Sequence, residues 1–114
     1  MLQISALITH RMSDQFLKRV EGDTIYITFK LPRLDASAAG TLKSELKLDQ
    51  DPEVKHAEIE IGNVEFIDSS GVGVLLGIYR KLAGDDARVN LINVRPSVQL
   101  VLELLRLHRI FSIA

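Results

Sequence analysis

Hydrophobic and polar positions alternate with period two from Thr24 to Phe29, the spacing of a strand with one wet face, and Phe16 to Val20 is a second β-rich run just before it. Glu21-Gly22-Asp23 separates the two runs, with a glycine available for positive φ, so the pair reads as a β-hairpin. Leu31-Pro32-Arg33-Leu34 ends the second strand because Pro32 cannot donate to a ladder, and Asp35 stands where a helix N-cap belongs. A first helix is expected from about Ala36 to Leu48, with Ala38, Leu42, Glu45 and Leu46 marking its turns. After the polar break Asp49-Gln50-Asp51-Pro52, the run Ala57-Glu58-Ile59-Glu60-Ile61 alternates as a strand and Gly62-Asn63 stops it.

Val64-Glu65-Phe66-Ile67 then leads to Asp68-Ser69-Ser70-Gly71, and Val72, Leu75, Leu76, Tyr79 and Leu82 recur at helical spacing. A second helix therefore begins at the serines. Gly84-Asp85-Asp86 closes it, Val89 to Val94 reads as a strand, and Pro96 suits the first position of a third helix carrying Val98, Val101, Leu102 and Leu105. Ile110 to Ile113 adds a last short strand. Strands alternating with helices after a hairpin predict a single α/β domain with a mixed, mostly parallel sheet of about four or five strands and three or four helices. Residues 1–12 read as an N-terminal extension and 13–114 as the domain, with Met12 an alternative start to Met1.

At 114 residues and 46% hydrophobic content, the chain supports one core. Fourteen basic against fifteen acidic residues leave a formal charge of −1, without the cationic excess that direct binding of nucleic acid requires. The absence of cysteine removes disulfides and thiolate chemistry and fits a cytoplasmic protein. The opening apolar stretch meets His10 and Arg11 too soon for a signal peptide or a membrane span, so no membrane insertion is expected. His10, His56 and His108 are widely separated and have no metal-ligand spacing, and neither GxGxxG nor GxxxxGK[ST] occurs. No metal, cofactor or small-molecule ligand is therefore expected. A Ser-His-Asp triad could in principle be assembled from Ser69, one histidine and Asp35, but Gly-x-Ser-x-Gly is absent and so small a domain offers little room for a pocket, so no enzymatic activity is expected.

One segment carries chemistry. A hydroxyl or anion at the start of a helix is stabilised by unpaired N–H groups and the positive end of the helix dipole. A phosphate on Ser69 or Ser70 would add roughly −1.5 to −2 charges there, beside Asp68. Asp and Ser are also ordinary capping residues, so Asp68-Ser69-Ser70-Gly71 alone would more often be a plain cap.

The longer segment Phe66-Ile67-Asp68-Ser69-Ser70-Gly71-Val72-Gly73-Val74-Leu75-Leu76 closely resembles the phosphorylation motif of STAS-domain anti-sigma factor antagonists. This resemblance implies a non-catalytic, phosphorylation-switched binding domain with Ser69 as acceptor and Ser70 as runner-up. Members of that family, when unphosphorylated, bind an anti-sigma factor that is also a serine kinase and so free a sigma factor; a PP2C-type phosphatase restores them. The resemblance also places Asp35 beside the phosphosite, a residue whose simpler role is to cap the first helix. Pro32-Arg33 departs from the family pattern, which often has glycine before the equivalent of Leu34-Asp35.

The expected partner-binding set is Asp35, Asp68, Ser70, Gly71, Val72, Gly73, Val74, Gly77 and Ile78. Within it, Val74, Gly77 and Ile78 are expected to face outward with Lys81 as a smooth docking side, unless the third helix covers them. A second reading is a constitutive scaffold subunit of a lipid-transport or stressosome-like complex, with Ser69 as a contact.

Overall fold

The computed structural model describes residues 8–114 apart from 13, 51–52 and 83. In chain order its elements are β1 (Ile8–Met12), β2 (Phe16–Glu21), β3 (Thr24–Phe29), β4 (Arg33–Leu34), α1 (Ala36–Glu45), β5 (His56–Glu60), β6 (Phe66–Ile67), α2 (Ser69–Lys81), β7 (Arg88–Ile92), α3 (Pro96–Leu104) and β8 (Phe111–Ile113). Short 3₁₀ turns at Leu48–Gln50 and Leu107–Arg109 follow α1 and α3.

Six strands form the main sheet in the order β1-β2-β3-β5-β7-β8, antiparallel at β1/β2 and β2/β3 and parallel thereafter. The hairpin closes through Gly22 at φ +60°, and Glu21 pairs with Thr24. Register puts apolar residues in rows across one face: Phe16 opposite Phe29, then Ile27 opposite Ile59 and Ile59 opposite Leu91, with Ile25, Ala57, Val89 and Phe111 forming the next row. These residues belong to one buried cluster with Ala38 and Leu42 of α1, Val72 and Leu75 of α2, and Val98 and Leu102 of α3. The helices therefore share that face. Thr24, Tyr26, Thr28, His56, Glu58 and Asn90 alternate onto the opposite face and stay only half-buried.

Residues 8–12, expected in a loose extension, instead form an edge strand on β2. Ile8-Thr9-His10-Arg11-Met12 has no two-residue apolar alternation to announce it, because an edge strand can be held by its ladder alone. Residues 1–7 lie outside the described residues. The first helix ends three residues earlier than expected. Leu46 is its C-cap and Lys47 adopts left-handed backbone at φ +49°. The third helix ends at Leu104, so Leu105, expected on its core stripe, lies beyond it and is half exposed.

Alternation along β2 also turns Lys18 inward, where it is 3% exposed and its Nζ donates to the Leu46 carbonyl at 2.8 Å. A cation there satisfies a carbonyl at the C-terminal end of α1 and complements the negative end of the helix dipole. Lys18→Ala should destabilise the domain by about 2 kcal/mol through the lost stem packing and the orphaned carbonyl. Lys18→Met, which keeps the stem, should recover part of that loss in urea denaturation.

Candidate functional site

The site is built where β4 and β6 pair. Two residues each, they run parallel with Arg33 opposite Phe66 and Leu34 opposite Ile67. Each strand is followed at once by an aspartate and then a helix, so Asp35 and Asp68 leave the ladder side by side, and α1 and α2 begin next to each other. Their positive ends converge on a single patch.

Asp68 serves both helices. Its Oδ1 accepts from the amide of Gly71 at 3.0 Å, the third residue of α2, and its Oδ2 accepts from the amide of Ala36 at 3.3 Å, the first residue of α1. Its own amide donates to the Leu34 carbonyl at 3.3 Å, continuing the ladder. Asp35 caps only α1: Oδ1 accepts from the Ser37 amide at 3.1 Å and the Ser37 hydroxyl at 2.7 Å, while Oδ2 accepts from Arg33 Nε at 3.2 Å. The Arg33 guanidinium lies 4.2 Å from the centre of the Phe66 ring, a cation–π contact that holds it over the patch.

The Ser37 hydroxyl bond is the main reason that the Asp35 carboxyl sits below its ordinary range; desolvation opposes it, and Arg33 and the Ser37 amide reinforce it.

Gly71 is the fixed point of the second helix. A Cβ there would lie 2.8 Å from the Leu34 carbonyl carbon, nearer still to its oxygen, and 2.9 Å from Ile67 Cγ1. The α2 backbone thus rests directly on the end of β4. Ser69, immediately before this contact, is the exposed first residue of α2, and Ser70 is half-buried.

Of the residues expected to form the partner surface, Asp35, Asp68, Ser70, Gly73 and Gly77 are half-buried. Gly71 and Val72 are buried, and Val74 and Ile78 are 2% and 1% exposed. Val74 and Ile78 therefore do not form an outward docking side. The expected core stripe was too narrow: α2 packs on the sheet and also against α1, which widens its buried arc to include Val74 and Ile78, while Leu76, Tyr79 and Leu82 are only partly buried at its margin. Two contributors escaped the sequence reading. Phe66 and the Arg33 stack depend on a two-residue pairing too short to give a periodic signal.

Among the described residues no helix is long and apolar enough to cross a membrane, and no group of three potential ligands is placed to hold a metal ion.

Gly71→Ala should destabilise the domain by about 2–3 kcal/mol because the added methyl meets backbone. Gly40→Ala on α1, where nothing lies within 4 Å of the new Cβ, should instead stabilise it by about 0.5–1 kcal/mol; paired thermal melts test this contrast. The lowered Asp35 pKa means that its carboxylate favours the folded state above the unfolded aspartate value, near pH 4, and that this contribution is lost as pH falls through the folded value. A carboxyl ¹³C titration should place Asp35 below a free aspartate, and Asp35→Asn should flatten the stability curve below about pH 4.

Comparison with known proteins adds to this geometry. The STAS domain model matches residues 2–114. An anti-sigma F factor antagonist of Paenibacillus polymyxa is 32% identical over 59 residues, 52% of this chain and 50% of that protein, so the chain matches about half the length of this curated relative. The anti-sigma factor antagonist SpoIIAA in its unphosphorylated form superposes with a TM-score of 0.66 at 25% identity, covering 94% of this chain and 87% of that one. The same fold recurs in a Thermotoga maritima protein described as a putative anti-sigma factor antagonist (TM-score 0.72, 23% identity, 86% and 84% covered) and in phosphorylated SpoIIAA of Bacillus (0.58, 24%, 94% and 90%). With the family model spanning nearly every residue and the strand–Asp-Ser-Ser-Gly–helix junction in place, this chain belongs to the STAS domain family.

Proposed function

We propose that this chain is an anti-sigma factor antagonist, a non-enzymatic binding module switched by phosphorylation of Ser69. The observation that carries this reading is the exposed position of Ser69 as the first residue of α2, between a carboxylate that caps the helix and a glycine that fixes it. The hydroxyl is open to a kinase, while the backbone on either side is held. The relatives add support: SpoIIAA is an anti-sigma factor antagonist with both unphosphorylated and phosphorylated forms.

In the unphosphorylated state, the patch presents Ser69 with Asp35 and Asp68 to an anti-sigma factor with serine kinase activity. Binding there withdraws that factor from its sigma factor, so transcription responds without this chain touching DNA. A phosphate on Ser69 gains from the two converging helix N-termini and is opposed by the two carboxylates. The fold tolerates it because the new charge sits at the surface. A partner that accepts the neutral hydroxyl against the same patch then meets roughly two added negative charges and dissociates. A PP2C-type phosphatase returns the chain to its binding form.

Incubation with ATP and the anti-sigma kinases of the same genome, followed by intact-mass analysis, should add one phosphate to the native chain and to Ser70→Ala, and none to Ser69→Ala. Ser69→Asp should bind the kinase at least tenfold more weakly than the native chain. No phosphate with any candidate would overturn the switch and favour a constitutive scaffold.

A further inference from the structure

Along α2, Ser69, Gly73 and Gly77 are spaced by four and share one side of the helix. That side borders a groove of about 550 Å³ between α1 and α2. Gly73 and Gly77 form its floor, Val74 lies at its base, and Lys43, Lys47 and Arg80 stand around it; no carboxylate among the described side chains lines it. In a chain with more acidic than basic residues, this is a local separation of charge. Among the described residues, none of these three cations has an ion-pair partner.

The fold does not account for the floor. A Cβ on Gly77 would meet nothing within 4 Å, and one on Gly73 would meet only Lys43 Nζ at 3.7 Å. Glycine inside a helix is unfavourable relative to alanine, so two such residues open the groove at a cost in stability. Lys47 adds another: it holds a left-handed conformation, φ +49°, that glycine or asparagine adopts more readily.

We infer that this groove receives an acidic, extended segment of the protein partner, with carboxylates against Lys43, Lys47 and Arg80 and an apolar side chain over the glycine floor. Charge complementarity selects an anion, and the spread of the cations selects a segment over a single small ion. Lys43 Nζ lies beside Gly73, and Gly73 and Arg80 are separated by ~10 Å of helix, about three residues of extended chain. Continuity with the switch follows from geometry, since the groove starts one turn beyond Ser69. A phosphate on Ser69 would stand at the mouth of the groove, repel the segment's carboxylates and compete with them for Lys43. This inference rests on the reading of Ser69 as the partner-binding end.

The test has two arms. In the first, ¹⁵N-labelled chain is titrated with a short peptide alternating glutamate and leucine, with its lysine–leucine counterpart, and with inorganic pyrophosphate. Amide shifts at Lys43, Lys47, Gly73, Gly77 and Arg80 are expected with the glutamate peptide alone, weakened by salt and at least tenfold in the Lys43→Glu/Arg80→Glu variant. Shifts there with pyrophosphate but not the peptide would make this a small-anion site, and no shifts there with the peptide would remove it; either overturns the inference. In the second arm, Lys47→Gly and Gly77→Gln, both expected to melt no lower than the native chain, are compared for binding to the anti-sigma kinases. Tenfold loss supports the groove, and unchanged binding overturns it while leaving the Ser69 reading intact. If no kinase binds the native chain yet the peptide still maps to the groove, the partner assignment fails and the groove stands.

Discussion

One carboxylate joins the beginnings of two helices. Asp68 accepts from the amide of Gly71 in its own helix and from the amide of Ala36 in the other. Each bond is worth on the order of 1 kcal/mol, but their shared acceptor fixes something that separate caps would not: the distance between α1 and α2 at their N-terminal ends. Behind it, the β4/β6 ladder delivers both aspartates in register, and the contact of Gly71 with Leu34 stops α2 from sliding along that ladder. The packing of α1 on α2, and so the shape of the groove between them, follows from these constraints.

The electrostatics of the patch are balanced by opposing local fields. Two helix N-termini favour negative charge, two carboxylates already supply it, and Arg33, held over Phe66, pairs with one of them. A further anion would enter a site whose donors are largely engaged. Its charge would therefore be expressed toward solvent.

Much of this architecture was legible in the residue pattern because burial on one face leaves a period-two or near-four trace. β3, β5 and β7 emerged that way; Glu21-Gly22-Asp23 marked the hairpin turn, Asp35 and Pro96 the starts of α1 and α3, and Asp68-Ser69-Ser70-Gly71 the start of α2 and the candidate site. What escaped had no such trace. β1 has no apolar alternation, and β4 and β6 are two residues long. Lys18 reads as a polar position until its carbonyl partner, 28 residues away, is known. Val74 and Ile78 read as a free side of α2 because helical periodicity reports the sheet contact and says nothing of a second helix alongside. The cations of the groove come from separate elements, so only the fold brings them together.

The contact between Gly71 and the Leu34 backbone leaves no slack at the start of α2. A helix seated on main chain cannot retreat to make room for a bulkier neighbour, nor tilt without forcing β4 from its place beside β6. Under the proposed reading, chemistry at Ser69 would therefore be poorly suited to long-range relay through the core and well suited to local signage: the domain would serve as a stiff bearing surface on which a single mark is written, erased and read at the same spot.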